Sequence, residues 1–139
     1  MFNISLMGAG RIGKMHAKII NDHPDCNLKY VYDVNKDFAN DICKNYNSIC
    51  AQTAEEAIEN ETVDVVFIAS ATPTHTEFIT KASKANKAVF CEKPLTTSYK
   101  KSKQLIKIAK VNKIKLYIDD IENYKKIKIK IKKKNYIIR

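Results

Sequence analysis

Leu6-Met-Gly-Ala-Gly-Arg-Ile-Gly-Lys-Met-His16 decides the fold, because it contains Gly8, Gly10 and Gly13, the only three glycines among 139 residues. A chain so poor in glycine places all of it in one G-x-G-x-x-G turn, the pattern that joins a strand to a helix where backbone must approach a pyrophosphate. Gly8 is expected to permit the tight turn, Gly10 to let the main chain approach the phosphates, and Gly13 to let the helix pack close to the strand. The free N–H groups and positive dipole end of that helix favour an anion. Such a pattern alone is weak evidence, and its flanks strengthen it. Phe2 to Met7 reads as a short apolar strand, and Ile12, Met15, Ile19 and Ile20 recur afterwards at helical spacing.

A second strand, Leu28 to Tyr32, ends at Asp33, twenty residues after Gly13. A carboxylate at that strand end accepts hydrogen bonds from the adenosine ribose hydroxyls and repels a 2′-phosphate, which points to NAD rather than NADP. Lys36 lies near enough in sequence to soften the preference. The competing reading of Asp33 is a turn or helix-capping carboxylate.

Elements then alternate. Asn35 to Tyr46 reads as a helix and Ser48 to Ala51 as a short strand. Thr53-Ala-Glu-Glu56 is a capping-box pattern opening a helix over Ala54 to Asn60. Val63 to Ser70 is a buried strand, Thr74 to Ala85 a helix with Phe78, Ile79 and Ala82 on one side, and Ala88 to Cys91 a strand. Ser98 to Val111 is a helix carrying Leu105, Ile106, Ile108 and Ala109, and Ile114 to Ile118 is a sixth strand. Strands alternating with helices predict an α/β fold of Rossmann type, a doubly wound parallel sheet in a single domain with strand order 3-2-1-4-5-6. Ligands of such sheets bind outside the carboxyl ends, between strands 1 and 4.

Composition narrows the class. The 45% hydrophobic content suits a packed core, and no apolar run approaches the eighteen or so residues of a membrane span. The first seven residues carry no basic leader, so a secretory signal is not expected and the cytoplasm is the expected location. Cys26, Cys43, Cys50 and Cys91 form no C-x-x-C pair and have no histidines at zinc spacing, so they read as reduced thiols, Cys91 as a core residue, with no metal site. Charge is uneven. Residues 1–99 hold ten Lys or Arg against twelve Asp or Glu, whereas residues 100–139 hold fifteen against three. Lys125 to Lys134 is a low-complexity Lys-Ile alternation that marks a boundary. The expected organisation is a nucleotide-binding domain over 1–118 and a lysine-rich tail over 119–139.

Strand 4 leads into Ser70-Ala-Thr-Pro-Thr-His75 and strand 5 into Cys91-Glu-Lys-Pro-Leu95, so both bring polar groups to the edge that holds the glycine turn. The combination of the glycine turn, Thr72-Pro-Thr-His75 and Glu92-Lys-Pro94 resembles the glucose–fructose oxidoreductase and inositol dehydrogenase family, particularly its inositol 2-dehydrogenase branch, over residues 2 to 118. The resemblance implies that Thr72, Pro73 and His75 line the nicotinamide end of the cofactor and that Glu92, Lys93 and Pro94 lie beside it. Pro94 would follow a cis peptide bond. Lys93 is the implied catalytic residue, hydrogen-bonding the oxygen of a polyol or sugar while hydride passes to NAD. Arg11 and Ile12 in the glycine turn join the cofactor set, Arg11 through a phosphate or by capping the pocket, with a plainly exposed arginine as the competing reading. His16 reads as a packed helix residue.

The family continues after strand 6 into a substrate-holding domain that has no counterpart here, and Asp119 and Asp120 stand where a glycine-containing turn is usual. The chain therefore reads as the nucleotide-binding part of an oxidoreductase truncated before its substrate domain, expected to turn over little alone. A non-catalytic nucleotide-binding or regulatory module is the alternative. A nucleic-acid-binding basic tail is a second alternative, weakened by the scarcity of arginine and of aromatic residues beyond Tyr124 and Tyr136. The sequence leaves the oligomeric state open.

Overall fold

Parallel strands and helices alternate through residues 1–118 of the computed structural model, which describes these residues and the backbone of 128–131 and 134–137. The order is β1 (Phe2–Met7), α1 (Arg11–Asp22), β2 (Cys26–Tyr32), α2 (Lys36–Tyr46), β3 (Ile49–Cys50), α3 (Ala54–Glu59) and β4 (Val65–Ile68). It continues with α4 (Thr72–Lys84), β5 (Ala88–Cys91), α5 (Tyr99–Val111) and β6 (Leu116–Ile118). The six strands form one sheet in the order β3-β2-β1-β4-β5-β6, as the sequence predicts. β1 pairs with β2 on one side and β4 on the other, both parallel, so the direction of winding reverses at β1. That reversal opens a crevice at the carboxyl ends of the three strands.

The apolar run of β4 shows why both faces are covered. Val65, Val66, Phe67 and Ile68 are all buried, and successive side chains of a strand point to opposite faces. Val66 and Ile68 enter a core with Ala57 and Ile58 of α3, Phe78 and Ile79 of α4 and Leu105 of α5. Val65 and Phe67 enter the other, with Ala17 and Ile20 of α1 and Ala39 and Ile42 of α2. Each helix thus buries one stripe against one sheet face.

Local signals set the boundaries. Asn35 caps α2 by accepting from the Asp37 N–H at 3.0 Å. Thr53 Oγ1 accepts from the Glu56 N–H at 3.1 Å, while Glu56 Oε2 accepts from the N–H of Gln52, one residue before the cap, at 2.7 Å. The capping box therefore closes with a one-residue offset. α4 starts at Thr72, two residues earlier than expected, because Pro73 suits a first turn, where φ is preset and no intrahelical N–H bond is needed.

The buried face of α1 departs from the expected one. It consists of Gly13, His16, Ala17 and Ile20, whereas Met15 and Ile19 are 47% and 49% exposed. The helix turns its smallest residue to the sheet, and the apolar spacing lies one position round from that stripe. Ile106 of α5 is likewise 41% exposed. β3 and β4 are shorter than read from sequence. In the lysine-rich segment, β7 (Lys128–Ile131) pairs antiparallel with β8 (Lys134–Ile137), while Asp119 and Asp120 lie outside the described residues.

The seat of α1 is testable. A Cβ on Gly13 would fall 2.0 Å from the Gly8 carbonyl oxygen, so a side chain there must push the helix off the turn. Gly13→Ala is expected to lower stability by about 3 kcal/mol, read by urea denaturation. An unchanged midpoint would show that helix and turn are not in contact.

Candidate functional site

Three strand ends converge on the crevice: Gly8 follows β1, Asp33 follows β2, and Ala69 and Ser70 follow β4. Gly8 sits at φ +103°, a conformation that side chains rarely tolerate, and a Cβ there would lie 2.5 Å from the Ser70 nitrogen. Its N–H donates to the Tyr32 carbonyl at 2.8 Å. Gly10 is different. It is the N-cap of α1, with no side-chain cap and no acidic residue in the first turn, and a Cβ there would meet nothing within 4 Å. The first N–H groups of α1 have no intrahelical acceptors, and they face ground that Gly10 leaves open.

Asp33 binds the turn to the next loop. Its Oδ2 accepts from the Ala9 N–H at 2.6 Å and its Oδ1 from the Asn35 N–H at 2.8 Å. Both bonds belong to the turn-carboxylate reading, yet each oxygen keeps a further lone pair for an external donor. Lys36, expected to soften the charge here, is committed elsewhere. Its Nζ donates to the carbonyls of Ala51 and Gln52 at 3.1 and 2.8 Å and lies over the Tyr32 ring. Gly8, Gly10 and Asp33 line a cavity of about 350 Å³ together with Tyr32, Val34, Phe38, Ser70, Thr74 and Phe78. Val34 and Phe38 are 86% and 46% exposed, so apolar surface stands open on the Asp33 side.

The remaining expected residues lie around and behind this cavity. Arg11 is exposed and Ile12 half-buried in the first turn of α1; Thr72 and Pro73 form the first turn of α4. Lys93 and Pro94 are exposed at the turn after β5, joined by a cis peptide bond as expected. His75 differs from expectation, for it faces inward rather than lining a ligand surface. It is 1% exposed, with Nε2 3.0 Å from the Ser70 carbonyl and Nδ1 3.1 Å from that of Pro94. Carbonyls only accept, so each contact needs a ring N–H, and a neutral ring supplies one at a time. Cys91 Sγ lies 3.3 Å from Nδ1, and burial pushes this thiol up to about 12, so it stays protonated in the core.

Glu92 carries the contact that sequence reading missed. Its Oε1 is 2.5 Å from His16 Nε2, and both side chains are largely buried, at 15% and 5% exposure. The His16 ring also packs on Phe67, with centroids 4.4 Å apart. This pair joins the helix of the glycine turn to the Glu-Lys-Pro turn, 76 residues apart. A signal existed: His16 lies three residues from Gly13 on the same helical stripe, and a polar group on a buried stripe requires a partner.

Removing the ring should expose its role. His16→Ala takes the ring N–H away from a mostly buried carboxylate, whose Oε2 still accepts from the Lys93 N–H at 3.2 Å, and is expected to cost about 2 kcal/mol, whereas His16→Gln, which keeps an N–H, should lose less. Equal losses in urea denaturation would show that packing on Phe67, not the bond to Glu92, accounts for the effect.

Comparison with known proteins agrees with this geometry. Residues 2–119 match the oxidoreductase family with an NAD-binding Rossmann fold. The inositol 2-dehydrogenase of Rhizobium meliloti (strain 1021) is 36% identical over 114 residues, 81% of this chain and 34% of that protein. The myo-inositol 2-dehydrogenase of Thermotoga maritima is 37% identical over 94 residues, 67% of this chain and 28% of that protein. The backbone superposes on the crystal structure of GenD2 from gentamicin A biosynthesis in complex with NAD, with TM-score 0.81 and 26% identity, over 84% of this chain and 34% of that one. The chain spans about a third of the length of these relatives. No helix among the described residues is long and apolar enough to cross a membrane. A glycine turn with open space at the helix N-terminus, a carboxylate at the end of β2 and a match through all six parallel strands lead to one conclusion: this chain belongs to the oxidoreductase family with an NAD-binding Rossmann fold.

Proposed function

We propose that the crevice holds NAD with the pyrophosphate over Gly10, the adenosine half against Asp33, Val34 and Phe38, and the nicotinamide toward Lys93, in the service of oxidising a secondary hydroxyl of a cyclitol or sugar. The observation that carries this reading is the open ground at Gly10, where the helix N-terminus presents unsatisfied N–H groups and positive dipole to an anion. Asp33 keeps acceptor capacity for ribose hydroxyls, and the engagement of Lys36 with two carbonyls leaves that carboxylate to repel a 2′-phosphate. The substrate class is drawn from the two inositol dehydrogenases that this chain resembles.

Bound NAD would supply the hydride acceptor. The chain's own part is placement. Arg11, exposed at the start of α1, is positioned to meet a phosphate, and half-buried Ile12 follows it in the same turn. Lys93 stands at the carboxyl edge as an exposed cation. An ammonium only donates, so there it orients the substrate oxygen. His75 and the His16–Glu92 pair act from behind by holding the turns that carry Thr72, Pro73, Lys93 and Pro94.

Calorimetric titration tests both halves of the adenosine and phosphate reading. NAD is expected to bind at least about tenfold more tightly than NADP, equivalent to about 1.4 kcal/mol; equal or reversed affinity would remove Asp33 from the ribose. Gly10→Val should move the thermal midpoint little beyond the cost of a poorer helix N-cap, since a Cβ there meets no protein atom within 4 Å, while weakening NAD binding by about a hundredfold or more. Normal binding by that variant would place the pyrophosphate elsewhere.

A further inference from the structure

The end of α2 folds back on itself. Asn47 adopts the left-handed conformation, φ 52° and ψ 40°, and its N–H donates to the Cys43 carbonyl. The Ser48 N–H donates to the same oxygen at 3.1 Å. This reversal returns the chain along the last helical turn into β3, a two-residue edge strand held to the sheet through Tyr30↔Ile49 and Val31↔Cys50. Cys50 thereby arrives over Cys43, with their Sγ atoms 2.6 Å apart. Two unbonded thiols at that separation are already near the roughly 2.05 Å of a disulfide bond. Cys43 is buried and Cys50 half-buried, so a reagent in solution meets Cys50 first.

We propose that Cys43 and Cys50 form a reversible dithiol–disulfide site that staples edge strand β3 to α2. A small-molecule disulfide such as oxidised glutathione is the oxidant. The Cys50 thiolate attacks one of its sulfurs, forming a mixed disulfide and releasing one glutathione thiolate. Cys43 then loses its proton to solvent and attacks Cys50 Sγ, which forms the Cys43–Cys50 bond and expels the second glutathione thiolate. Two protein thiols are oxidised, one disulfide is reduced to two thiols, and the two protons pass to the departing thiolates. Burial, then the hydrogen bond with Cys50, pushes the Cys43 thiol up to about 12, which makes it the resolving partner. The other cysteines are placed apart from this step: Cys91 Sγ rests against His75 and the Glu92 carbonyl, and Cys26 opens β2.

Peptide mapping of the full 139-residue chain tests the proposal independently of any cofactor. The native protein is incubated with oxidised glutathione at pH 8, alkylated in denaturant and digested without reductant. Trypsin cuts after Lys36, Lys44 and Lys81, so the bond would join peptide 37–44 to peptide 45–81. The expected result is that joined pair as the main oxidised product, with Cys26 and Cys91 recovered alkylated, reversal by dithiothreitol, and a thermal midpoint about 5 °C higher when oxidised. Cys43→Ser and Cys50→Ser should each eliminate the pair; the wild-type map stands whether or not those variants fold. Recovery of both thiols alkylated, glutathione retained on Cys50 without joining, a linkage through Cys26 or Cys91, or a lower midpoint on oxidation would each overturn the proposal.

Discussion

The contact between Gly13 and the Gly8 carbonyl is the constraint on which the remainder of the site depends. With no side chain between them, α1 lies against the turn that leaves β1, and a Cβ would intrude to 2.0 Å. That seating aims the helix N-terminus along the crevice. It also turns His16, one helical turn further on, toward Phe67 and Glu92. Gly8 is crowded from the other side by the backbone of Ala69 and Ser70, so the end of β4 is drawn to the same point. Only Gly10 has room around it. Of three glycines in one motif, two satisfy the protein's own packing and one leaves space for something outside it.

Buried and half-buried polar contacts, rather than surface ion pairs, then shape the edge. Lys14–Asp41 and Lys18–Asp22 are about half exposed or more on both sides, and such pairs are screened by water and contribute little. His75 and the His16–Glu92 pair are set against backbone groups or each other away from bulk water, where a lost partner costs more than a formed bond gains, and half-buried Asp33 is held by two backbone N–H groups. They connect segments distant in sequence: the glycine turn to the loop after β2, the start of α4 to the turn after β5, and α1 to that same turn. A crevice formed where three strand ends converge needs such ties, because the loops themselves bring little apolar burial.

The same logic separates the two groups of cysteines. Cys91 is fully buried beside His75, and its thiol serves as packing. Cys43 and Cys50 meet because a left-handed Asn47 reverses the chain at the sheet edge.

The glycine spacing, the alternation of apolar strands with helices and the Thr53 cap are local patterns, and the amino-acid sequence by itself determined the strand order, the crevice and the placement of Gly8, Gly10 and Asp33 on it. These follow from backbone conformation and periodicity over a few residues. Tertiary structure alone decided the rest. Met15 and Ile19 were legible as apolar but not as outward-facing, because the close approach at Gly13 rotates the buried stripe of α1 by one position. Lys36 looked like a neighbour of Asp33 and instead reaches the carbonyls after β3. His75 was legible as part of a motif but not as inward-facing, and His16 could not be matched with Glu92 along the chain. The direction of a long or polar side chain is set by the partner that satisfies it, and apart from the nearby Ser70 carbonyl at His75 these partners lie 15 to 76 residues away, brought within reach only when the sheet is wound.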